Sequence, residues 1–175
     1  MSRFEPVDGR SELALAGESS VHPLHTTTTV LTGFFEATIG VDGELDLAQP
    51  ISGQIEVPVD SLKSNNALID REMRNRLNTR RYPKILAKLV TIRQHKATGR
   101  YVAVGDLTFH GVTQRLEDEL VVQQVNENVI EIKGEISLDI RQFKVTPPKL
   151  FMLKVYPEVK IQLLFVLERV GEGSS

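Results

Sequence analysis

The sequence predicts an all-β protein in which about eight antiparallel strands form a barrel or a sandwich, covered by one helix at about residues 66–79. Three observations lead to this prediction. Apolar and polar residues alternate along most of the chain, which is typical of strands with one buried face. Turn signals separate the alternating segments. A single segment instead repeats its apolar residues every four positions, as a helix does.

The first half of the chain contains three alternating segments. The first covers residues 13–17, and the second, 27–39, is rich in the strand-forming residues Thr, Val, Phe and Ile. The third covers residues 51–59, and turn signals at 41–43 and 48–50 precede it. Each segment therefore predicts a strand with one face turned toward an apolar interior.

The helix is predicted from Ile69, Met73 and Leu77, which form one apolar stripe. An asparagine directly before the segment can cap its start, and residues 80–83, which end in proline, terminate it. The stripe indicates either a lid over a ligand or a helix docked on the barrel, and the two interpretations predict the same pattern.

Strands resume after the helix, and their inward faces are almost wholly aliphatic and aromatic. The alternating segments are 84–93, 100–109, 116–122, 129–140 and 159–167. The interior is therefore expected to be apolar and nearly devoid of charge. Several glycines fall on the inward faces, namely Gly17, Gly33, Gly53, Gly105 and Gly134. They indicate either free volume inside the barrel or bulges and tight coiling of the strands.

Length and composition exclude several classes of protein. The 175 residues predict a single domain over 1–175, with frayed tails at 1–11 and 170–175. A net charge of -2 argues against a nucleic-acid partner, and the absence of cysteine excludes disulfides and thiolate chemistry. No stretch is long and apolar enough for an integral membrane segment. We expect a cytoplasmic protein as the sequence stands, or a periplasmic one if a signal segment has been removed.

Motifs for catalysis and metal binding are missing from the sequence. It has no nucleophile elbow, phosphate loop or His-Glu-x-x-His motif, so we predict no enzyme and no cofactor. His22 and His25 lie three apart around a proline and would point to opposite faces of a strand, so no metal site is predicted. The run 117–119 is interpreted as solvent-facing charge, and His110 is expected to bond the backbone within its own turn.

Four blocks of sequence carry a family resemblance, and they are 66–86, 105–113, 140–145 and 156–161. The second reads Gly-Asp-Leu-Thr-Phe-His-Gly-Val-Thr, and the first places Tyr-Pro directly after the helix. Together and in this order they resemble the YceI-like family of lipid-binding proteins. The resemblance implies an extended lipocalin-like antiparallel β-barrel that holds a long polyisoprenoid or prenylquinone-type lipid. It implies no catalytic residues, and it is compatible with a homodimer.

Two loops depart from the commonest form of the family. Residues 21–25 and 146–153 are nearer to a subgroup variant, which leaves the identity of the lipid open. A locally basic stretch at 71–84 is interpreted as a solvated helix face, and the alternative is contact with a lipid phosphate.

The predicted function is to bind, sequester or transport a long isoprenoid-type lipid, either a polyprenyl chain or a prenylquinone. Each buried CH₂ of such a chain contributes ~0.8 kcal/mol, so few hydrogen bonds are needed. The alternatives are a stress-related or structural interaction domain with a filled core, and a small-molecule-modifying enzyme on the same barrel. Phe151 is expected at the cavity mouth or at a dimer interface. The predicted ligand-binding residues are Leu31, Phe35, Ile55, Met73, Leu77, Ile85, Leu107, Phe109, Ile136, Phe143, Phe151, Leu163 and Phe165.

Overall fold

The computed structural model describes residues 1–147, 149–150 and 153–171. Helix α1 spans Ala67–Leu77, and short 3-10 helices occupy Val59–Ser61 and Ile140–Phe143. The strands are β1 (Ser2–Pro6), β2 (Glu12–Ser19), β3 (Pro23–Thr28), β4 (Thr32–Ala37), β5 (Ser52–Pro58), β6 (Lys84–Gln94), β7 (Arg100–Phe109), β8 (Val112–Asn126), β9 (Val129–Asp139), β10 (Lys149–Leu150) and β11 (Leu153–Arg169). Among the described helices, none is long and apolar enough to cross a membrane.

The strands close into an eight-stranded antiparallel barrel, which confirms the predicted fold class and decides between barrel and sandwich. The order around the barrel is β1, β4, β5, β6, β7, β8, β9 and β11, and β11 pairs with β1 to close it. Strand β11 is long enough to pair with β2 as well, along the same edge that pairs with β1. It pairs with β1 at residues 167–169 and with β2 at residues 155–164, and β3 then pairs with β2.

The N-terminal residues are part of the barrel, contrary to the expectation of a frayed tail at 1–11. Strand β1 pairs with β4 and β11, and Phe4 is only 1% exposed. At the other terminus Val170 donates its backbone N–H to the Arg3 carbonyl at 2.8 Å, and residues 172–175 lie outside the described part. A five-residue strand with one buried aromatic side chain leaves almost no period-two signal, which is why alternation missed it.

The segment 27–39 forms two strands rather than the single one predicted. The Thr28 hydroxyl accepts the Val30 N–H at 3.0 Å and donates to Ser61 Oγ at 2.8 Å, which holds a turn between β3 and β4. Gly33 follows with a φ of +145°, and a Cβ there would meet the Gln54 carbonyl. Strand β3 therefore stays with β2, and β4 crosses to β1 and β5.

Helix α1 begins and ends where the sequence predicts. The Asn66 side chain accepts the N–H groups of Leu68 and Ile69 at 3.0 and 3.2 Å, a standard N-cap. Asn78 closes the last turn in the left-handed conformation with a φ of 47°. Ile69 is buried, so the apolar stripe faces the barrel.

One end of the barrel is closed by a packed cluster around Tyr101. This side chain is buried among aliphatic and aromatic residues from several strands. Its hydroxyl donates to Glu44 Oε2 at 2.7 Å and accepts the Leu45 N–H at 3.0 Å, and Glu44 also accepts the Gly99 N–H. Burial, together with the nearby Glu44 carboxylate, raises the pKa of Tyr101 to about 12. The loop that follows β4 is thereby tied across this end.

Candidate ligand-binding cavity

Two apolar cavities lie end to end inside the barrel. The first, of about 110 Å³, lies under α1 at the end opposite the Tyr101 cluster. The second, of about 180 Å³, lies deeper, toward that cluster. Leu107 lines both of them.

Strand β11 shows how the two cavities follow the barrel axis. Its inward residues Val159 and Ile161 line the first cavity, and the next inward residues, Leu163 and Phe165, line the second. Strand β9 repeats this order. Successive side chains of single strands therefore line first one cavity and then the other, and we call the two aligned cavities the apolar path.

Most of the residues predicted to bind a ligand line this path. Met73, Leu77, Ile85, Leu107 and Phe109 line the first cavity. Phe35, Ile55, Leu107, Ile136, Leu163 and Phe165 line the second. The structure thus brings these side chains together on the lining of two adjoining apolar cavities.

For three of the predicted residues the structure shows no contribution to the lining of either cavity. Leu31 is buried in the packed core with Leu13 and Val57. Phe143 is fully buried and stacks edge-on against Phe109, with ring centroids 5.6 Å apart. Phe151 lies outside the described residues. Alternation shows which face is inward, but it does not separate a packed layer from an open one.

Helix α1 covers the first cavity with both apolar and polar side chains. Ile69, Met73 and Leu77 line it, and so do Asp70 and Arg74. The Asp70 carboxylate accepts two hydrogen bonds from Ser64, and these bonds anchor the first helical turn. The helix is therefore docked on the barrel and forms one wall of the first cavity, and its role as a lid over a ligand stays a prediction.

The basic stretch at 71–84 is mostly turned away from the cavity. Arg74 is its one basic side chain that lines the first cavity. Arg76 pairs with Glu72 at 2.9 Å, and Arg81 lies over the ring of Tyr82. This arrangement leaves one guanidinium at the helix-covered end of the path.

Strand β6 contributes a lining residue that simple alternation does not place on its inner face. Ile85, Ala87 and Leu89 face inward in regular alternation, but a bulge shifts the register between Leu89 and Thr91. Ile92 consequently lines the second cavity. A bulge inserts one residue and exchanges the two faces of a strand, and nothing in the local sequence marks it.

Asp118 lines the second cavity, contrary to the interpretation of residues 117–119 as solvent-facing charge. Its neighbours Glu117 and Glu119 do point outward, where they pair with Arg93 and His95. Asp118 is separated from Leu116 and from Leu120 by two positions, so alternation places its side chain on the same inward face as theirs. This spacing could have identified Asp118 from the sequence. Desolvation, assisted by the charges of Glu119 and Glu135, raises the pKa of Asp118.

Two of the inward glycines differ in what they provide. At Gly17 an added Cβ would have no neighbour within 4 Å, so this glycine leaves free volume in the first cavity. At Gly134 a Cβ would lie 2.6 Å from the Leu120 side chain, so here glycine permits close packing.

The histidines do not form a metal site in the described part of the chain. No three candidate ligands come together there, and His22 and His25 are exposed. His110 bonds backbone as expected but outside its turn, with Nδ1 lying 3.1 Å from the Phe143 carbonyl. Its ring also packs edge-on against Tyr82, so this side chain ties the β7–β8 turn to neighbouring segments.

A family model described as YceI-like domain matches residues 14–167. The chain belongs to the YceI-like family. The structure resembles Burkholderia cenocepacia BcnA with a TM-score of 0.78 and 16% identity, over 92% of this chain and 98% of that one. A search of curated proteins finds no match.

Two other solved structures show the same family fold. A polyisoprenoid binding domain from Saccharophagus degradans, implicated in plant cell wall breakdown, gives a TM-score of 0.74 at 14% identity, over 97% of this chain and 99% of that one. A Campylobacter jejuni YceI protein gives 0.68 at 10% identity, over 83% and 85%. At these identities the likeness establishes the fold alone, and the family model confirms the resemblance found in the sequence.

Proposed function

We propose that this YceI-like protein binds a long isoprenoid-type lipid, a polyprenyl chain or a prenylquinone, inside the barrel and sequesters or carries it. The observation that carries the proposal is the apolar path formed by the two cavities. The family membership supports it, as does the likeness to a domain described as polyisoprenoid binding.

The length of the path suits a chain of several isoprene units. Along β11 the lining side chains run from Val159 to Phe165, and at ~3.3 Å per residue this is about 20 Å of strand. Each CH₂ transferred from water to this surface contributes ~0.8 kcal/mol. Affinity therefore comes from apolar contact, and a few polar groups suffice to orient the ligand.

Binding rather than catalysis is the role we propose. The lining is almost entirely aliphatic and aromatic, and its ionisable side chains that point to the interior lie at two separate places along the path. Asp70 and Arg74 lie at the helix-covered end, and Asp118 lies in the deeper cavity. Such a surface favours holding a ligand by its chain over activating a bond in it.

Chain-length dependence of binding tests this proposal. The purified protein is stripped of bound lipid by organic extraction or reversed-phase exchange, and the extract is analysed by mass spectrometry. The lipid-free protein is then titrated with geraniol, farnesol and geranylgeraniol. We expect an isoprenoid in the extract and a dissociation constant that falls steeply with each added isoprene unit.

Two results of this experiment would contradict the proposal. A barrel that functions as a filled structural core yields no lipid on extraction and binds none of the three alcohols. An affinity that does not change with chain length would mean that the alcohol binds at the surface, outside the apolar path.

A further inference from the structure

The wall of the barrel is split between β8 and β9. The two strands pair from their hairpin up to Leu120 and Gly134, and beyond this point the described residues of the two strands are not paired. Each strand nevertheless stays bonded to its other neighbour, β8 to β7 as far as Val112 and β9 to β11 as far as Asp139. The result is a slit in the wall, which we call the β8–β9 slit.

The β8–β9 slit is bounded at both ends. The 3-10 helix at Ile140–Phe143 spans one end, where Gln114 Nε2 donates to the Gln142 carbonyl at 3.0 Å. At the other end, beside the paired residues Leu120 and Gly134, a surface groove reaches inward-facing Leu163 as well as outward-facing Glu119. Asp118 lines both this groove and the second cavity. The carboxyl therefore borders both the interior and the surface groove.

The surroundings of Asp118 leave its hydrogen-bonding capacity unused. It lies between Leu116 and Leu120 on β8 and opposite Ala103 on β7. Among the residues that the structure describes, none donates a hydrogen bond to its carboxyl. An unpartnered carboxyl beside an apolar cavity is unfavourable unless it faces water or a donor. The half-buried Asp118 side chain is reached by solvent through the groove, so a ligand hydroxyl at this point would take the place of water as the donor.

The charges around Asp118 decide which donor fits. Glu119 and Glu135 are close enough to raise its pKa, and Lys133 lines the same groove. Glu119 is already paired with His95, and Glu135 is paired with Lys160 at 3.3 Å. The local excess of carboxylates disfavours an anionic group such as a phosphate. A neutral hydroxyl can donate to the carboxyl without repulsion.

We propose that Asp118 and the β8–β9 slit form a polar subsite that receives a hydroxyl group of the bound lipid. This inference rests on the proposed function, because it assigns the polar end of the same ligand. It names the ligand class more narrowly as an isoprenoid alcohol or a prenylquinol, in which the hydroxyl donates to Asp118. The chain of the lipid then extends from the second cavity toward the cavity under α1.

The test compares geranylgeraniol with its methyl ether, which keeps the chain and the oxygen but removes the donor. Both are titrated into the wild-type protein and into Asp118→Leu, Asp118→Asn and Glu117→Leu. We expect the wild type to prefer the alcohol about ten- to a hundredfold, the range for hydrogen bonds to a charged group. Asp118→Leu should lose this preference and still bind the ether.

The two remaining variants act as controls. Asp118→Asn keeps the shape and one acceptor oxygen, so it should retain part of the preference for the alcohol. Glu117→Leu changes the outward-facing neighbour and should leave the ratio unchanged, since Glu117 pairs with Arg93 outside the barrel. Circular dichroism and thermal unfolding establish that each variant folds.

Two outcomes would overturn the subsite. One is equal binding of alcohol and ether by the wild type, and the other is a preference that survives in Asp118→Leu. Failure of the wild type to bind either compound is a different result, because it refutes the proposed function itself. The ratio of the two affinities therefore tests the subsite separately from the lipid-binding proposal.

Discussion

Replacing Gly17 with leucine should block lipid binding while leaving the barrel folded. Gly17 lies on β2 between Val159 of β11 and Leu24 of β3, and it lines the first cavity. A Cβ built there has no neighbour within 4 Å. The leucine side chain therefore enters empty space under α1, and the lipid loses that space.

The expected magnitudes have opposite signs for binding and for stability. At ~0.8 kcal/mol for each of the four carbons, leucine displaces about 3 kcal/mol of lipid contact. This weakens binding about a hundredfold, since 1.4 kcal/mol corresponds to about tenfold. The free energy of unfolding of the lipid-free protein should rise by up to about 2 kcal/mol, because a strand glycine is replaced and an apolar side chain is buried.

Titration with geranylgeraniol and urea denaturation of the lipid-free protein measure the two effects. Glu18→Leu is the matched control, because it adds the same side chain at the next position of β2, on the exposed outer surface. It should bind lipid as the wild type does. Wild-type affinity in Gly17→Leu would refute the reasoning, because the lipid would then not occupy the cavity under α1. A marked loss of stability would show that the space is not empty.

Three further substitutions test the barrel and its covering helix. Phe4→Ala should lower the free energy of unfolding by about 3–5 kcal/mol in urea denaturation, and a change near zero would contradict the place of β1 in the wall. Tyr101 has a folded-state pKa of about 12 against an ordinary value of 10.0, so the folded protein holds this proton more tightly. Stability from this group is therefore complete below pH 10 and is lost as the pH rises through 12, and Tyr101→Phe should remove that part of the alkaline loss measured by denaturation at each pH. Asn66→Ala should cost about 1 kcal/mol of thermal stability through the lost N-cap, whereas Asn66→Asp should cost little, and equal losses in both would argue against capping.

Much of the candidate site follows from alternation, because an inward residue on one strand faces the same interior as an inward residue on the next. This is why Ile85, Leu107 and Phe165 could be assigned to one apolar surface before their strands were arranged. Leu31 and Phe143 share that inward orientation but belong to packed layers. The distance between opposite walls separates these cases, and it depends on side chains that are remote in the sequence.

Asp118 illustrates a different limit of sequence analysis. Its parity with Leu116 and Leu120 already placed it on the inner face, but a carboxyl among three acidic residues is normally solvated. The split of β8 from β9 lets the carboxyl lie at a gap in the wall, between the interior and the surface groove. Strand pairing decides whether such a gap exists, and no residue near Asp118 in the sequence predicts it.

The sequence by itself determined the strand-rich fold class, the single helix with its asparagine cap, the apolar inner face and the family. These features depend on local periodicity and on short motifs, which the order of residues contains directly. Tertiary structure alone decided that β1 closes the barrel, that 27–39 divides between two neighbours and that the interior stays partly open. Each of these depends on which distant segments pair and at what register, and therefore on contacts that no local pattern records.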